Sequence, residues 1–169
     1  MKIYISCGLT HVPRDFFEEH TNFIHQLAKA LQGAGHSVTY ALVNSDPQLA
    51  SKPFEERPRL CYLWDRGMVE GADLVIAEAS FPSTGLGIEM QVAEAKGTPI
   101  VTCFRDFGVN KVVPVTYENP DHSKHQLQVG EGFVSLMALG VPTTFKVVQY
   151  LGRDDGIEKI LAVLKLLAQ

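Results

Sequence analysis

The segment from Ala72 to Glu89, which reads ADLVIAEASFPSTGLGIE, constrains the fold more than any other part of the chain. Its apolar run from Leu74 to Ala77 predicts a buried strand, and the turn after it leads into a helix that carries Glu89 in its first turn. Backbone N–H groups at a helix start favour negative charge. We therefore expect the turn to bind an anion such as a phosphate, with Glu89 ionised beside it, an arrangement suited to chemistry on a sugar phosphate.

Strands and helices alternate along the rest of the chain. Apolar runs predict strands at 3–7, 36–42, 73–79, 99–104 and 145–150, and helical spacing of apolar residues predicts helices at 14–31, 59–70, 86–96 and 155–167. This alternation indicates an α/β fold, a three-layer Rossmann-like or flavodoxin-like sandwich with a five-stranded parallel sheet in the order 2-1-3-4-5. Ligands in such folds bind beyond the carboxyl ends of the strands, so Gly8, Thr10 and the turn at 80–87 are expected to meet at one crevice.

The same spacing predicts which side chains face the core. The helix at 59–70 is expected to point Leu60, Leu63, Trp64 and Met68 inward, and the helix at 86–96 to bury Ile88, Val92 and Ala95 against the sheet. His20 and His25 are expected on the solvent face of the first helix. The segment 44–58 is predicted to be a loop because it holds several prolines.

Composition narrows the class of protein. The chain has 169 residues, which suits one domain over 1–169, and residues 106–130 form an irregular connection that is unusually long for a compact domain and is either functional or flexible. The formal charge of −4 and the lack of a Lys/Arg-rich run argue against a nucleic-acid partner. The chain has three cysteines, Cys7, Cys61 and Cys103. Their odd number and wide separation argue against a disulfide framework and indicate a reducing compartment. No signal peptide or membrane-spanning run is visible, so we expect a cytoplasmic protein, or a nuclear one if the source is eukaryotic.

Two carboxylates are the main candidates for chemistry. Glu89 follows two glycines, Gly85 and Gly87, that let backbone approach a ligand closely, although an acidic residue near a helix start is common for electrostatic reasons alone. Asp65 falls in a largely apolar stretch and either serves the site or pairs with a neighbouring arginine, Arg66 or Arg59.

Other polar residues each allow a functional and a structural interpretation. Ser83 either caps the following helix or contacts a phosphate oxygen. Glu78 lies within an apolar strand, where a carboxylate needs a partner, so it either contacts a ligand or has a structural role. His122 and His125 are spaced like metal ligands, but no third ligand stands near them in the sequence, and we predict no metal and no other cofactor.

These residues together resemble a known family. Asp65, the run from Ala72 to Glu78 and the string Pro-Ser-Thr-Gly-Leu-Gly-Ile-Glu at 82–89 resemble the nucleoside 2-deoxyribosyltransferase superfamily. Within that superfamily the string is most similar to the 2'-deoxynucleoside 5'-monophosphate N-hydrolase branch. The resemblance extends from the first strand to Arg105, and again over 135–137 and 145–150.

The resemblance implies a reaction and a set of roles. Glu89 would be the nucleophile that attacks the anomeric carbon and displaces the base, and Asp65 would assist near the leaving group or sugar. Retaining glycoside cleavage uses two such carboxyls about 5–5.5 Å apart. Ser83 would bind the 5'-phosphate, and Ser135 would reach the site of a neighbouring subunit, so that a homodimer shares its active sites. The expected activity is hydrolysis of (deoxy)nucleoside 5'-monophosphates; base exchange and a non-catalytic nucleotide-binding module are the alternatives.

The first strand departs from the family pattern. The family tyrosine stands two residues before a small residue and Gly, and Tyr4 lies about one residue out of that register. The resemblance nevertheless assigns Tyr4 to the site, where it would position Asp65 or the sugar. The arginine of the family's first loop has only loose counterparts here, Arg14 and Thr10. Because the insertion at 106–130 could remodel the pocket, the base preference is not carried over.

Overall fold

A single five-stranded parallel sheet organises the fold, and its order confirms the prediction. The structure, a computed structural model, describes residues 1–167. The sheet order is β2-β1-β3-β4-β7, and every neighbouring pair of its strands is parallel. The strands of this sheet are β1 (Lys2–Cys7), β2 (Ser37–Tyr40), β3 (Leu74–Glu78), β4 (Ile100–Arg105) and β7 (Thr144–Tyr150). A separate antiparallel hairpin consists of β5 (Thr116–Glu118) and β6 (Lys124–Gln126).

Helices cover both faces of the sheet, which explains why its central strands are continuously apolar. They are α1 (Arg14–Gly33), α2 (Ala41–Asn44), α3 (Asp46–Leu49), α4 (Arg57–Gly71), α5 (Thr84–Lys96), α6 (Leu136–Leu139) and α7 (Arg153–Leu167), with a 3₁₀ turn at Phe54–Glu56. One core forms between the sheet and α1 with α7, and a second between the sheet and α4, α5 and the segment around α6. None of the helices within residues 1–167 combines the length and the apolarity that a membrane crossing needs.

Helix α5 faces the sheet with a different stripe from the predicted one. Leu86, Met90 and Ala93 are buried, whereas Ile88 is 46% exposed. Both stripes are apolar and follow the same helical spacing, so periodicity alone does not distinguish them. The observed rotation turns the flank that carries Glu89 toward α4.

Several other predictions of detail were wrong. Leu63 is 44% exposed, and His20, expected in solvent, is buried and lies 3.0 Å from the Gly8 carbonyl through Nε2. The second strand ends at Tyr40 because the side chain of Asn44 accepts the Tyr40 N–H at 3.0 Å and the chain turns into α2. The segment 44–58, expected to be a loop, contains α3 and the 3₁₀ turn. The insertion at 106–130 stays a prediction; this segment contains the hairpin β5–β6, whose strands are too short and too exposed to show an alternating pattern.

Candidate active site

Glu89 is the centre of the candidate site because two side chains of β1 hold its carboxyl group. The Tyr4 hydroxyl donates to Oε1 at 2.7 Å, and the Ser6 hydroxyl donates to Oε2. Residues two apart on a strand point to the same face of the sheet, so Tyr4 and Ser6 both reach toward the α4–α5 layer. Burial and the neighbouring carboxyls Glu89 and Asp65 raise the pKa of Tyr4, which keeps its hydroxyl a donor.

The protonation of Glu89 differs from the expectation. Ser83 is the N-cap of α5, with the Leu86 N–H donating to Ser83 Oγ at 3.2 Å, so Glu89 lies beyond the first turn, where the helix-end field has faded. Burial raises the pKa of Glu89 to about 7; the Ser6 and Tyr4 hydroxyls oppose that rise and the charge of Asp65 adds to it. The group therefore exchanges its proton near neutral pH instead of remaining ionised throughout.

Asp65 lines the same cavity as Glu89. The cavity lies between α4 and α5 and has a volume of about 190 Å³. Its lining is mainly apolar apart from the two carboxyls and Arg66, and it includes Cys61, Tyr62 and Gly85. Asp65 accepts hydrogen bonds from Ser45 and Cys61, whereas Arg66 is engaged by Glu70 at 2.7 Å. The hydrogen bonds of Asp65 therefore come from Ser45 and Cys61, and not from Arg66 or Arg59, the partners that the alternative interpretation expected.

A second cavity, of about 510 Å³, lies on the other side of the start of α5. Its walls include Ser83, Gly87, Ser135 and Phe133. Both serines cap helices: Ser135 accepts the Ala138 N–H at 3.3 Å, as Ser83 accepts that of Leu86. The residues expected to bind a phosphate are thus divided between two cavities, since Gly85 lines the one that contains Glu89.

Of the remaining predicted site residues, Gly8 and Thr10 follow the carboxyl end of β1, whereas Tyr4 lies within that strand. Gly8 is buried against the turn, and a Cβ there would lie 2.9 Å from the Cβ of Ser83, so glycine lets the two loops meet. Thr10 is exposed. Tyr4 is buried beneath Glu89. Tyr4 therefore orients Glu89, even though it stands out of the family register.

Glu78 has no exposed surface, which favours the structural role over contact with a substrate. Its carboxyl accepts hydrogen bonds from the hydroxyls of Ser80 and, at 2.9 Å, Tyr150, and His20 Nδ1 lies 3.5 Å away. Burial raises the pKa of Glu78, and His20, Ser80 and Tyr150 oppose that rise. The network ties β3 to α1 and β7.

Sequence reasoning missed three contributors to the site: Ser6, Ser45 and Cys61. Ser6 had a signal, because it stands two residues after Tyr4 on the same strand face. The sequence signal for Cys61 was its position one helical turn before Asp65. Ser45 had none, since it lies in the expected loop. All three cysteines are free. Among residues 1–167, no group of three or more His, Cys, Asp or Glu side chains is arranged to hold a metal ion.

Comparisons with known proteins identify the fold. No family model matches the chain, and no curated protein matches it. Among solved structures, the CMP N-glycosidase BcmB of Clostridium botulinum matches at a TM-score of 0.57 and 16% identity, covering 96% of this chain and 99% of that one. A conserved protein from Enterococcus faecalis V583 matches at 0.57 and 18%, covering 95% and 97%. A 2-deoxyribosyltransferase from Bacillus psychrosaccharolyticus has a TM-score of 0.46 and 22% identity, over 62% and 72% of the two chains.

The chain therefore has the α/β fold that the sequence resemblance predicted. It shares that fold, over nearly its whole length, with the CMP N-glycosidase of Clostridium botulinum. This likeness concerns the fold alone, so membership of the superfamily and of its N-hydrolase branch both stay predictions.

The surroundings of Glu89 predict opposite responses to two substitutions. In the unaltered protein the ¹³C shift of the Glu89 carboxyl should titrate with a midpoint near pH 7. Tyr4→Phe removes a donor that stabilises the ionised form, so the midpoint should rise; Asp65→Asn removes a nearby negative charge, so it should fall. Ser6→Ala removes the second donor to Glu89, so it should also raise the midpoint, as Tyr4→Phe does. Equal midpoints in all four proteins would contradict this account of the site.

Proposed function

We propose that this protein hydrolyses the N-glycosidic bond of (deoxy)nucleoside 5'-monophosphates, with Glu89 as nucleophile and Asp65 as the partner carboxyl. The observation that carries the proposal is the pair of carboxyls from α4 and α5 on one small, mainly apolar cavity that Arg66 also lines, with Glu89 held by Tyr4 and Ser6. The products would be the free base and (deoxy)ribose 5-phosphate. The fold shared with a CMP N-glycosidase supports this class of reaction.

The proposed reaction has two steps. A Glu89 oxygen forms a bond to the anomeric carbon while the bond from that carbon to the base nitrogen breaks, and the base leaves with the bonding electrons and takes up a proton. Water then attacks the same carbon, the ester bond to Glu89 breaks, and the water proton is released. The Tyr4 and Ser6 hydroxyls stabilise the carboxylate that is consumed in the first step and regenerated in the second.

Burial of Glu89, opposed by the Tyr4 and Ser6 hydroxyls, determines its protonation state before the reaction. Only the ionised form of Glu89 can attack, and with a pKa of about 7 that form is a minor species in acid. The first step should therefore accelerate as the pH rises through neutrality. Asp65 faces the same space and is proposed to contact the sugar or the departing base.

The phosphate end of the substrate is proposed to lie at the start of α5. Ser83, Gly85 and Gly87 are there, and Gly8 and Thr10 follow the neighbouring strand β1. Ser135 of the same chain lines the larger cavity and not the one with Glu89, and Met137, two residues further on, is 88% exposed. We therefore retain the homodimer, in which Ser135 completes the site of the other copy. The solution mass of the protein tests this part.

A screen of nucleoside 5'-monophosphates, in both ribose and deoxyribose forms, tests the function. Chromatography should detect a released base and a sugar phosphate from at least one substrate. A second reaction with a free acceptor base separates hydrolysis from transfer, because transfer yields a new nucleotide. The proposal fails if nucleotides are exchanged but not hydrolysed, which is the result for a transferase, or if they bind and neither reaction occurs, which is the result for a sensing module.

A further inference from the structure

The carboxyl group of Asp65 is bonded at both of its oxygens by side chains that no motif of the sequence identifies. The Ser45 hydroxyl donates to Oδ1 at 2.5 Å, and the Cys61 thiol lies 3.3 Å from Oδ2. The first distance is in the short range typical of a hydroxyl that bonds to a carboxylate. The orientation of Asp65 on the cavity wall is therefore fixed from two directions.

Ser45 is itself held rigidly. It lies at the junction of α2 and α3 and is only 2% exposed. Its N–H donates to the Ala41 carbonyl at 3.2 Å, and its own carbonyl accepts the N–H groups of Gln48 and Leu49, both at 3.1 Å. A serine with its backbone bonded on both sides has little freedom to follow a moving partner. The Ser45 hydroxyl is therefore a fixed donor that stabilises the Asp65 carboxyl.

Cys61 supplies the second contact from within α4. It precedes Asp65 by one helical turn, the spacing at which side chains on a helix meet. Burial, and then the charge of Asp65, raise the pKa of the Cys61 thiol to about 12, so the sulfur remains a protonated donor near neutral pH. The neighbouring cation Arg66 is engaged by Glu70 and by the Tyr62 hydroxyl, and does not compete for Asp65.

We propose that Ser45 and Cys61 are positioning residues that hold the Asp65 carboxylate on the wall of the cavity it shares with Glu89. This proposal rests on the function proposed above. An aspartate without these donors can rotate away from the cavity, and a displaced catalytic group costs rate even when the substrate still binds. The two residues act through Asp65 and need no contact with the substrate.

The kinetic test compares Ser45→Ala and Cys61→Ala with Cys61→Ser, which keeps a donor at the same position. We expect each alanine variant to lower kcat by roughly tenfold or more with a smaller change in KM, and Cys61→Ser to restore most of the loss. In the Asp65→Asn background neither alanine substitution should lower kcat further, because the group that they position is already altered. Additive losses in that background would overturn the proposal.

A second measurement does not need turnover. The charged or titratable groups near the Glu89 carboxyl are Asp65, Cys61, Tyr62 and Arg66 of α4 and Tyr4 and Cys7 of β1, and the charge of Asp65 raises the pKa of Glu89. If Ser45→Ala lets Asp65 move away, the midpoint of the Glu89 carboxyl shift should fall toward its value in Asp65→Asn. Cys61→Ala repeats the test if Ser45→Ala does not fold.

The two measurements separate the proposals. If the unaltered protein cleaves no nucleotide, the proposed function fails, while the NMR titration still decides whether Ser45 and Cys61 position Asp65. If the variants keep the midpoint and the kcat of the unaltered protein, the positioning role is wrong and the proposed function stands.

Discussion

Glu89→Gln is expected to lower the turnover of the preferred nucleoside monophosphate by at least about a thousandfold, because an amide is a poor nucleophile. Glutamine has the same shape, and its carbonyl oxygen can still accept the hydrogen bond of Tyr4 that the structure shows on Oε1. The affinity for the nucleotide should therefore change by less than about tenfold. Single-turnover kinetics and isothermal titration calorimetry measure the two quantities separately.

The matched control for this variant is Glu94→Gln on the same helix. Glu94 bonds to Gln91 at 2.7 Å and does not line the cavity with Asp65, so its replacement should leave turnover within about twofold of the unaltered protein. A 2-fluoro sugar analogue that slows the second step should label the peptide containing Glu89. Retention of more than a tenth of the activity in Glu89→Gln, or a label elsewhere, would rule out Glu89 as the nucleophile.

The parts of the fold that are predictable from the sequence are those with a strong local signal. The central strands β1, β3 and β4 are continuous apolar runs, and the αL conformation of Gly97 ends α5 where the glycine predicts. The bounds of α1, α4 and α7 lie within two residues or so of the predicted ones. Once these elements alternate, few arrangements other than a parallel sheet remain.

The rotation of α5 was not predictable because two of its faces are apolar. The same helical periodicity fits two buried faces. One carries Ile88 and Val92, and the other carries Leu86 and Met90. The choice is made by tertiary contacts, including the hydrogen bonds from β1 to Glu89. These contacts join residues more than eighty positions apart, and no local pattern reports them.

The candidate site shows the same division. Glu89 and Asp65 were identified from a motif, and the structure places both on one cavity. The side chains that orient them, Ser6, Ser45 and Cys61, have no motif, because a hydroxyl or thiol donor can approach a carboxylate from any element that passes close to it. The raised pKa of Glu89 was likewise invisible, since burial depends on the packing of α4 against α5.

Removal of the buried carboxyl Glu78 should have the largest effect on stability. Glu78→Ala leaves the Tyr150 hydroxyl and the Ser80 hydroxyl without their acceptor and leaves His20 beside a void. The Ser80 hydroxyl also accepts the Arg105 N–H at 2.8 Å, so the loss extends to the end of β4. Because unpartnered buried polar groups and a cavity both cost free energy, the free energy of unfolding should fall by about 3–5 kcal/mol.

Urea unfolding followed by circular dichroism measures this loss, and Glu70→Ala is its control. Glu70 forms an ion pair with Arg66 in which both side chains are nearly half exposed, at 47% and 48%, and removing such a pair should cost no more than about 1 kcal/mol. Glu78→Gln, which keeps an acceptor for Tyr150, should fall between the two. If Glu78→Ala were no more destabilising than Glu70→Ala, the buried network would not hold α1, β3 and β7 together, and the strand ends that carry the site would have to be fixed by the apolar core alone.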